Sequence, residues 1–315
     1  MGKAATAETL VLYCLPLIIG TVFSCLGNIN IKLDTLRKHE RFGRNILIAR
    51  RYLLLGILLA IVGALLDLSV AISIPVSIRA GFAALSIPIG VILARLILHE
   101  HVSTLQAVGV GLAVVGPFVS VVFASHDTDN KVADDWRTAL STSRFDWFFL
   151  ATCPVFGVTL YHLKFDDGKT RGLLSLISSS FACSYVACTA SACARFFVAA
   201  VARLGLFSES ALLLLLTTII VSLFQISCMS RFLSIFHASV ALPMYQVVNS
   251  LLLTITAVML FQETIQSILG YVAGMTVAFA GLYLVATKGD EIIETDSNEP
   301  LIQVTELDKD YQSWN

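Results

Sequence analysis

Two charged residues lie in a stretch of chain that otherwise carries almost none. Asp67 sits at the centre of "GALLDLSVAISIP", residues 63–75, in a run that is nearly all apolar from Tyr52 onward, and Arg79 follows Pro75. An unpaired charge inside a bilayer costs at least about 2.5–3.5 kcal/mol, so such residues pair, or else face water and do work there. Asp67 precedes Pro75 by about two helical turns and Arg79 follows it by about one. A hairpin at Pro75 therefore brings the two side chains to related depths on adjacent helices, where they can form an ion pair. The alternative is that Asp67 faces a wet cavity as a cation ligand or proton acceptor, with the pair acting as a gate that the substrate opens. Arg79 by itself would repel cations and attract anionic groups, which keeps an organic solute in view. Both roles of Asp67 stay open at this level.

The elements that must hold these residues are membrane spans. Of the 315 residues 57% are hydrophobic and 14% charged, which excludes an ordinary water-soluble domain. A bilayer core needs roughly 20 apolar residues per helix, and the chain supplies about nine such windows. They cover residues 10–31, 52–74, 77–98, 103–123, 145–163, 173–203, 211–235, 238–260 and 267–287. The expected fold class is an all-α polytopic membrane protein. The window 173–203 is long enough to tilt strongly or to be broken. The loop "IKLDTLRKHERFGRNILIARRY" carries Lys32, Arg37, Lys38, Arg41, Arg44, Arg50 and Arg51, which by the positive-inside rule lies in the cytoplasm. That places the N-terminus outside or in a lumen and, after an odd number of spans, the C-terminus in the cytoplasm, in a plasma or endosomal membrane.

Residues 288–315 are polar and acidic and lack helical periodicity, so a disordered tail is expected. Its "SNEPLI" approximates an acidic dileucine signal, which makes sorting adaptors its candidate partners. The seven cysteines all fall within apolar windows and read as packing thiols. No Gly-rich phosphate loop, no nucleophile with a base and no nucleic-acid-type basic patch occurs. The reading is of a non-enzyme without a cofactor, whose partners are the lipid bilayer and a small ion or solute.

A repeat runs through the chain. "LILHEHVSTLQAVGVGLAVVG", residues 96–116, and "LFQETIQSILGYVAGMTVAFAG", residues 260–281, align when Glu100 is placed on Glu263, an offset of 163 residues (263 − 100). Each has an acid in a tight turn between two helices, and the natural job of that acid is to cap the following helix. The turns join spans three to four and eight to nine, five spans apart, so the copies have opposite orientation. Such inverted repeats suit a secondary transporter with its site near the midplane. The division expected is a transmembrane domain 1–287, with repeats 10–123 and 173–287 and a linking span 145–163. Among the other charged residues, Lys32 reads as snorkelling to the interface and Arg95, Arg195, Arg203 and Arg231 as anchors at span ends.

The two acid-containing turns resemble those of the drug/metabolite transporter superfamily. Within it, "QISCMSRFLSIFHASVALPMYQVVNSLLLTITAVMLFQE", residues 225–263, is similar to the corresponding stretch of the NIPA-type magnesium transporters, with Val240, Pro243, Tyr245, Thr254, Thr256 and Glu263 keeping the pattern. Gly63, Pro75, Ala84, Leu85, Ser86 and Glu100 match the front half. The chain departs where the family carries Glu after the Gly, which here is Ala64. Its acid is Asp67, three residues on and on the same helical face. Arg79 and Gly81 stand where the family has Val and a Pro-containing element.

The resemblance implies transport of magnesium. That ion asks for one or two carboxylates plus waters and carbonyls in octahedral geometry. Asp67 can give a carboxylate. Backbone carbonyls freed at Gly81 and around Pro243 can give neutral oxygens, because neither span three nor span eight is expected to run unbroken there. Asn249, Thr254 and Thr256 can hold the water shell. The leading expectation is alternating-access transport of magnesium or another divalent cation. The rivals are a carrier of a small organic solute and a non-transporting membrane scaffold or receptor.

Overall fold

The computed structural model describes residues 7–36, 51–70, 79, 82–100, 102–123, 143–165, 173–261, 263 and 265–296. Among them it is all-helical, with nine helices. In chain order these are α1 (Ala7–Leu36), α2 (Arg51–Ser69), α3 (Ser86–Ile97), α4 (Thr104–Val122), α5 (Ser143–Phe165), α6 (Leu173–Leu204), α7 (Glu209–Ile235), α8 (Ala238–Met259) and α9 (Ile268–Asp296). Each falls on one expected span. Six are long and apolar enough to cross a membrane, which makes this a multi-pass membrane protein.

The differences from the expected spans have local causes. In span three the helical residues 79, 82 and 83 lie before a turn, and the continuous helix runs from Ser86. Just before it Leu85 N–H bonds Phe82 O at 3.0 Å and Ile87 N–H bonds Ala84 O at 3.0 Å, a tighter turn that interrupts the span. Gly81, expected to be the breaking point, lies outside the described residues, as does Pro75. Span eight was expected to break at Pro243, yet α8 runs through it. Proline there removes only one amide, the partner of the Ser239 carbonyl one turn back, and the buried surroundings hold the rest of the helix in place. The long sixth window is one continuous helix of 32 residues. At 1.5 Å per residue it spans about 48 Å, so it tilts or projects beyond a core of about 30 Å. The last helix continues to Asp296, so residues 288–296, expected to belong to a disordered tail without helical periodicity, are helical. Residues 297–315, the rest of the tail, lie outside the described residues.

The core gathers round α8: 72% of its span is buried, against 11% of α2. Because lipid is as apolar as leucine, helices in a membrane associate where small residues let backbones approach. Two antiparallel pairs do so through glycines seven apart. On α1 and α2, a methyl group on Gly27 would sit 2.8 Å from the Gly56 carbonyl oxygen, and one on Gly63 would sit 2.7 Å from that of Gly20. On α4 and α9, a methyl group on Gly281 would sit 2.5 Å from the Gly109 oxygen, and one on Gly116 would sit 2.5 Å from the Gly274 oxygen.

The 163-residue offset reappears in hydrogen bonds. Glu100 N–H bonds Ala94 O at 3.3 Å, and Glu263 N–H bonds Ala257 O at 3.1 Å. Cys25 Sγ–H bonds Ser86 O at 3.5 Å, and Cys188 Sγ–H bonds Asn249 O at 3.7 Å. Both pairs of bonds are related by 163 positions at donor and acceptor alike. The helices related by the same offset, α4 and α9, run in opposite directions.

Candidate functional site

Asp67 lies two residues before the end of α2, where the α1 backbone passes closest at Gly20. Its partner is Arg79. The guanidinium donates through Nε to Oδ1 at 3.3 Å and through a second nitrogen to Oδ2, the two-pronged geometry in which arginine binds a carboxylate most firmly. Of the two side chains Arg79 is the sealed one, 10% exposed, and Asp67 the open one, 43% exposed. The pair thus presents acid to its surroundings with the positive charge behind it.

The expected residues of α8 form a second group. The Tyr245 hydroxyl accepts from Gln225 Nε2 of α7 at 3.3 Å, and the Tyr245 carbonyl accepts from Ser184 of α6 at 3.0 Å. One turn on, Asn249 accepts from Cys188 of α6 through its side-chain oxygen at 3.5 Å. Thr254 donates back to Ser250 O at 3.1 Å. Thr256 is buried and its hydroxyl has no hydrogen-bond partner among the described residues. A buried unsatisfied hydroxyl costs about 1–3 kcal/mol and calls for a reason. Among the described residues Asp67 and Arg79 share no hydrogen bond with these residues of α8. Among the described residues no three His, Cys, Asp or Glu side chains cluster as a metal cage. Asp67 alone supplies a carboxylate to the candidate cation site, and Arg79 holds both of its oxygens.

Other charged residues behave differently from their sequence reading. Lys32 does not snorkel. It is buried, and its Nζ donates to Leu233 O at 2.5 Å and Phe236 O at 2.8 Å. Arg195 is no interfacial anchor either: it is buried, donates to Glu263 Oε1 at 3.1 Å and lies 4.4 Å above the Phe261 ring. Glu100 and Glu263 do not cap the helices that follow them. Ser103 caps α4 in a reciprocal box with Gln106, and Ser267 caps α9 by accepting from Gly270 N–H at 3.3 Å. With serines in that position the acids are released for distant partners. Glu263 takes Arg195, and Glu100 caps α8 by accepting from Ala238 N–H at 2.9 Å and Ser239 N–H at 2.7 Å. The sequence signal that could have found Lys32 and Arg195 was the repeat offset itself, which superposes them (195 − 32 = 163).

The family model for the magnesium transporter NIPA matches residues 15–291, from the first helix into the last. The chain belongs to this family. NIPA membership implies a membrane transporter of magnesium or a related cation and accounts for the polytopic helical fold. No solved structure matches the chain. Asp67 lies on α2, and Arg79 is bonded to it.

Proposed function

We propose that the protein carries magnesium or another divalent cation across a plasma or endosomal membrane by alternating access between two inverted repeats. The repeats are residues 10–123 and 173–287, and α5 links them. The observation that carries this reading is the asymmetry of the Asp67–Arg79 pair. A solute arriving at the pair meets a carboxylate before a guanidinium, so the site favours a cation and disfavours an anion. Asp67 binds the incoming ion in competition with Arg79, and the ion pair re-forms when the ion leaves. Asn249, Thr254 and the unpaired Thr256 hydroxyl offer oxygens to a hydrated ion further along the central helix, and the Tyr245 hydroxyl borders them. The inverted arrangement is supported by the hydrogen bonds repeated at an offset of 163 and by the opposed directions of α4 and α9. Positive residues in the connection after α1 favour a cytoplasmic location for that loop and, with nine spans, for the C-terminus.

The carrier of an organic anion remains the second reading, favoured by Arg79. Uptake by the purified protein in liposomes separates the two. Divalent-ion uptake that is lost in Asp67→Asn supports the cation reading. Uptake of organic anions but of no divalent cation overturns it.

A further inference from the structure

Each half of the chain carries one basic and one acidic residue related to the other half by 163 positions: Lys32 with Glu100, and Arg195 with Glu263. The two sets are used differently. Arg195 and Glu263 meet directly at 3.1 Å. Lys32 and Glu100 instead grip a piece of chain, the junction between α7 and α8. The lysine amine holds the carbonyls of Leu233 and Phe236 at the end of α7, and the glutamate holds the amides of Ala238 and Ser239 at the start of α8. His237 Nδ1 lies 3.9 Å from the same carboxylate. The chemistry is matched at both ends. The C-terminus of a helix presents unpaired carbonyls and partial negative charge, which suit an amine. An N-terminus presents unpaired amides and partial positive charge, which suit a carboxylate.

We propose that Lys32 and Glu100 are the gate at this end of the transporter, with two alternative partners. In the present state they hold the α7–α8 junction in place. In the other state the junction withdraws and the amine and carboxylate pair with each other, as Arg195 and Glu263 do in the opposite half. The proposal rests on the alternating-access reading. Its physical attraction is that neither charge is ever left bare: helix ends satisfy both in one state, and each satisfies the other in the second. The helix ends released from the grip move to where water reaches them.

Two readings on the full-length purified protein carrying Ser239→Cys test this without any substrate. They are the rate at which a water-soluble maleimide labels position 239, resolved by peptide so that native cysteines are scored apart, and the melting temperature. Glu100→Gln loosens the grip and speeds labelling on the order of tenfold, the worth of a charge-assisted hydrogen-bond set. The exchanged pair Lys32→Glu with Glu100→Lys can form the direct pair but cannot grip, because each charge now faces the wrong helix end. It labels at least as fast as Glu100→Gln and melts within a few degrees of the parent. Labelling at the parent rate in either variant overturns the proposal. So does an exchanged pair that melts below both Lys32→Gln and Glu100→Gln, or that fails to fold, since a purely structural clamp predicts that loss. A protein that labels as expected but moves no cation in liposomes keeps the gate and loses the cation reading.

Discussion

Among the described residues, the arginine–carboxylate pairs Arg195–Glu263 and Arg79–Asp67 are built to opposite ends. Arg195–Glu263 is closed on every side: its side chains are 9% and 1% exposed, and Phe261 covers the guanidinium. Arg79–Asp67 has the same chemistry and a two-pronged bond, yet its carboxylate is open. When both members of a pair are desolvated, their attraction only offsets the cost of leaving water, and removing one partner leaves a bare charge with nowhere to go. When one member is open, water or an ion can take over that member's bonds, and only the sealed partner bears the cost of parting. The first arrangement holds helices together. The second suits the proposed cation site.

The widest gap between the two pairs should appear in stability. Glu263→Ala removes a buried charged partner of Arg195 and should cost about 3–5 kcal/mol, seen as a sharply lower melting temperature in detergent. The apolar double replacement Arg195→Met with Glu263→Leu should recover most of it. A Glu263→Ala protein that melts like the parent would mean that the closed pair locks nothing. Asp67→Asn should cost less than Glu263→Ala, because Asn still accepts from the sealed Arg79 and the lost carboxylate is open. Its divalent-ion uptake should nonetheless fall by about tenfold or more. Adding Arg79→Val should not restore uptake. If it does, Asp67 exists to neutralise the arginine, and the contrast between the pairs disappears. Ala64→Glu in the Asp67→Asn background tests whether the helix face, rather than the position, is what counts, and should return part of the uptake.

A finer test takes a residue away from both pairs. Thr256→Val keeps shape and removes a hydroxyl that nothing satisfies, so the melting temperature should hold or rise by about 1 kcal/mol equivalent. Uptake should drop severalfold if that oxygen serves the ion's water shell, and unchanged uptake would take Thr256 out of the path. The smallest effect is expected from deleting residues 297–315, which should leave uptake in liposomes unaltered, where sorting has no meaning. Lost uptake would tie the acidic tail to transport.

Span positions were legible because a bilayer demands length and apolarity together, and few other segments satisfy both. Where helix limits shifted, as before Ser86 and beyond Thr287, backbone bonding rather than hydropathy sets the end. The Asp67–Arg79 pair was legible as well, since charges in an apolar run must find each other or water. Lys32 and Arg195 were not. Both were read from their distance to a span end, but α1 is 30 residues long and α6 32, so a sequence position near the end still lies deep in the bundle. Burial there depends on the α7–α8 junction, more than 200 residues from Lys32, and on Glu263 just beyond α8, 68 residues from Arg195, and no local pattern reports it. Glu100 and Glu263 were misplaced for a related reason. A carboxylate beside a helix start looks like its cap, and only the serines at positions 103 and 267 reveal that the post is taken.

The glycine contacts between α1 and α2, and between α4 and α9, reverse the usual scale of mutational severity. On the outer face of α2, Leu54, Leu58 and Leu65 are more than half exposed and should accept any apolar replacement of similar size. At Gly27, Gly63, Gly116 or Gly281 the mildest change chemistry offers, one methyl group, collides with a neighbouring backbone that has no side chain to move aside. Variation in this protein should therefore be harmless where it looks drastic and damaging where it looks trivial. A catalogue of tolerated substitutions would trace the two helix contacts as four narrow gaps in an otherwise permissive apolar surface.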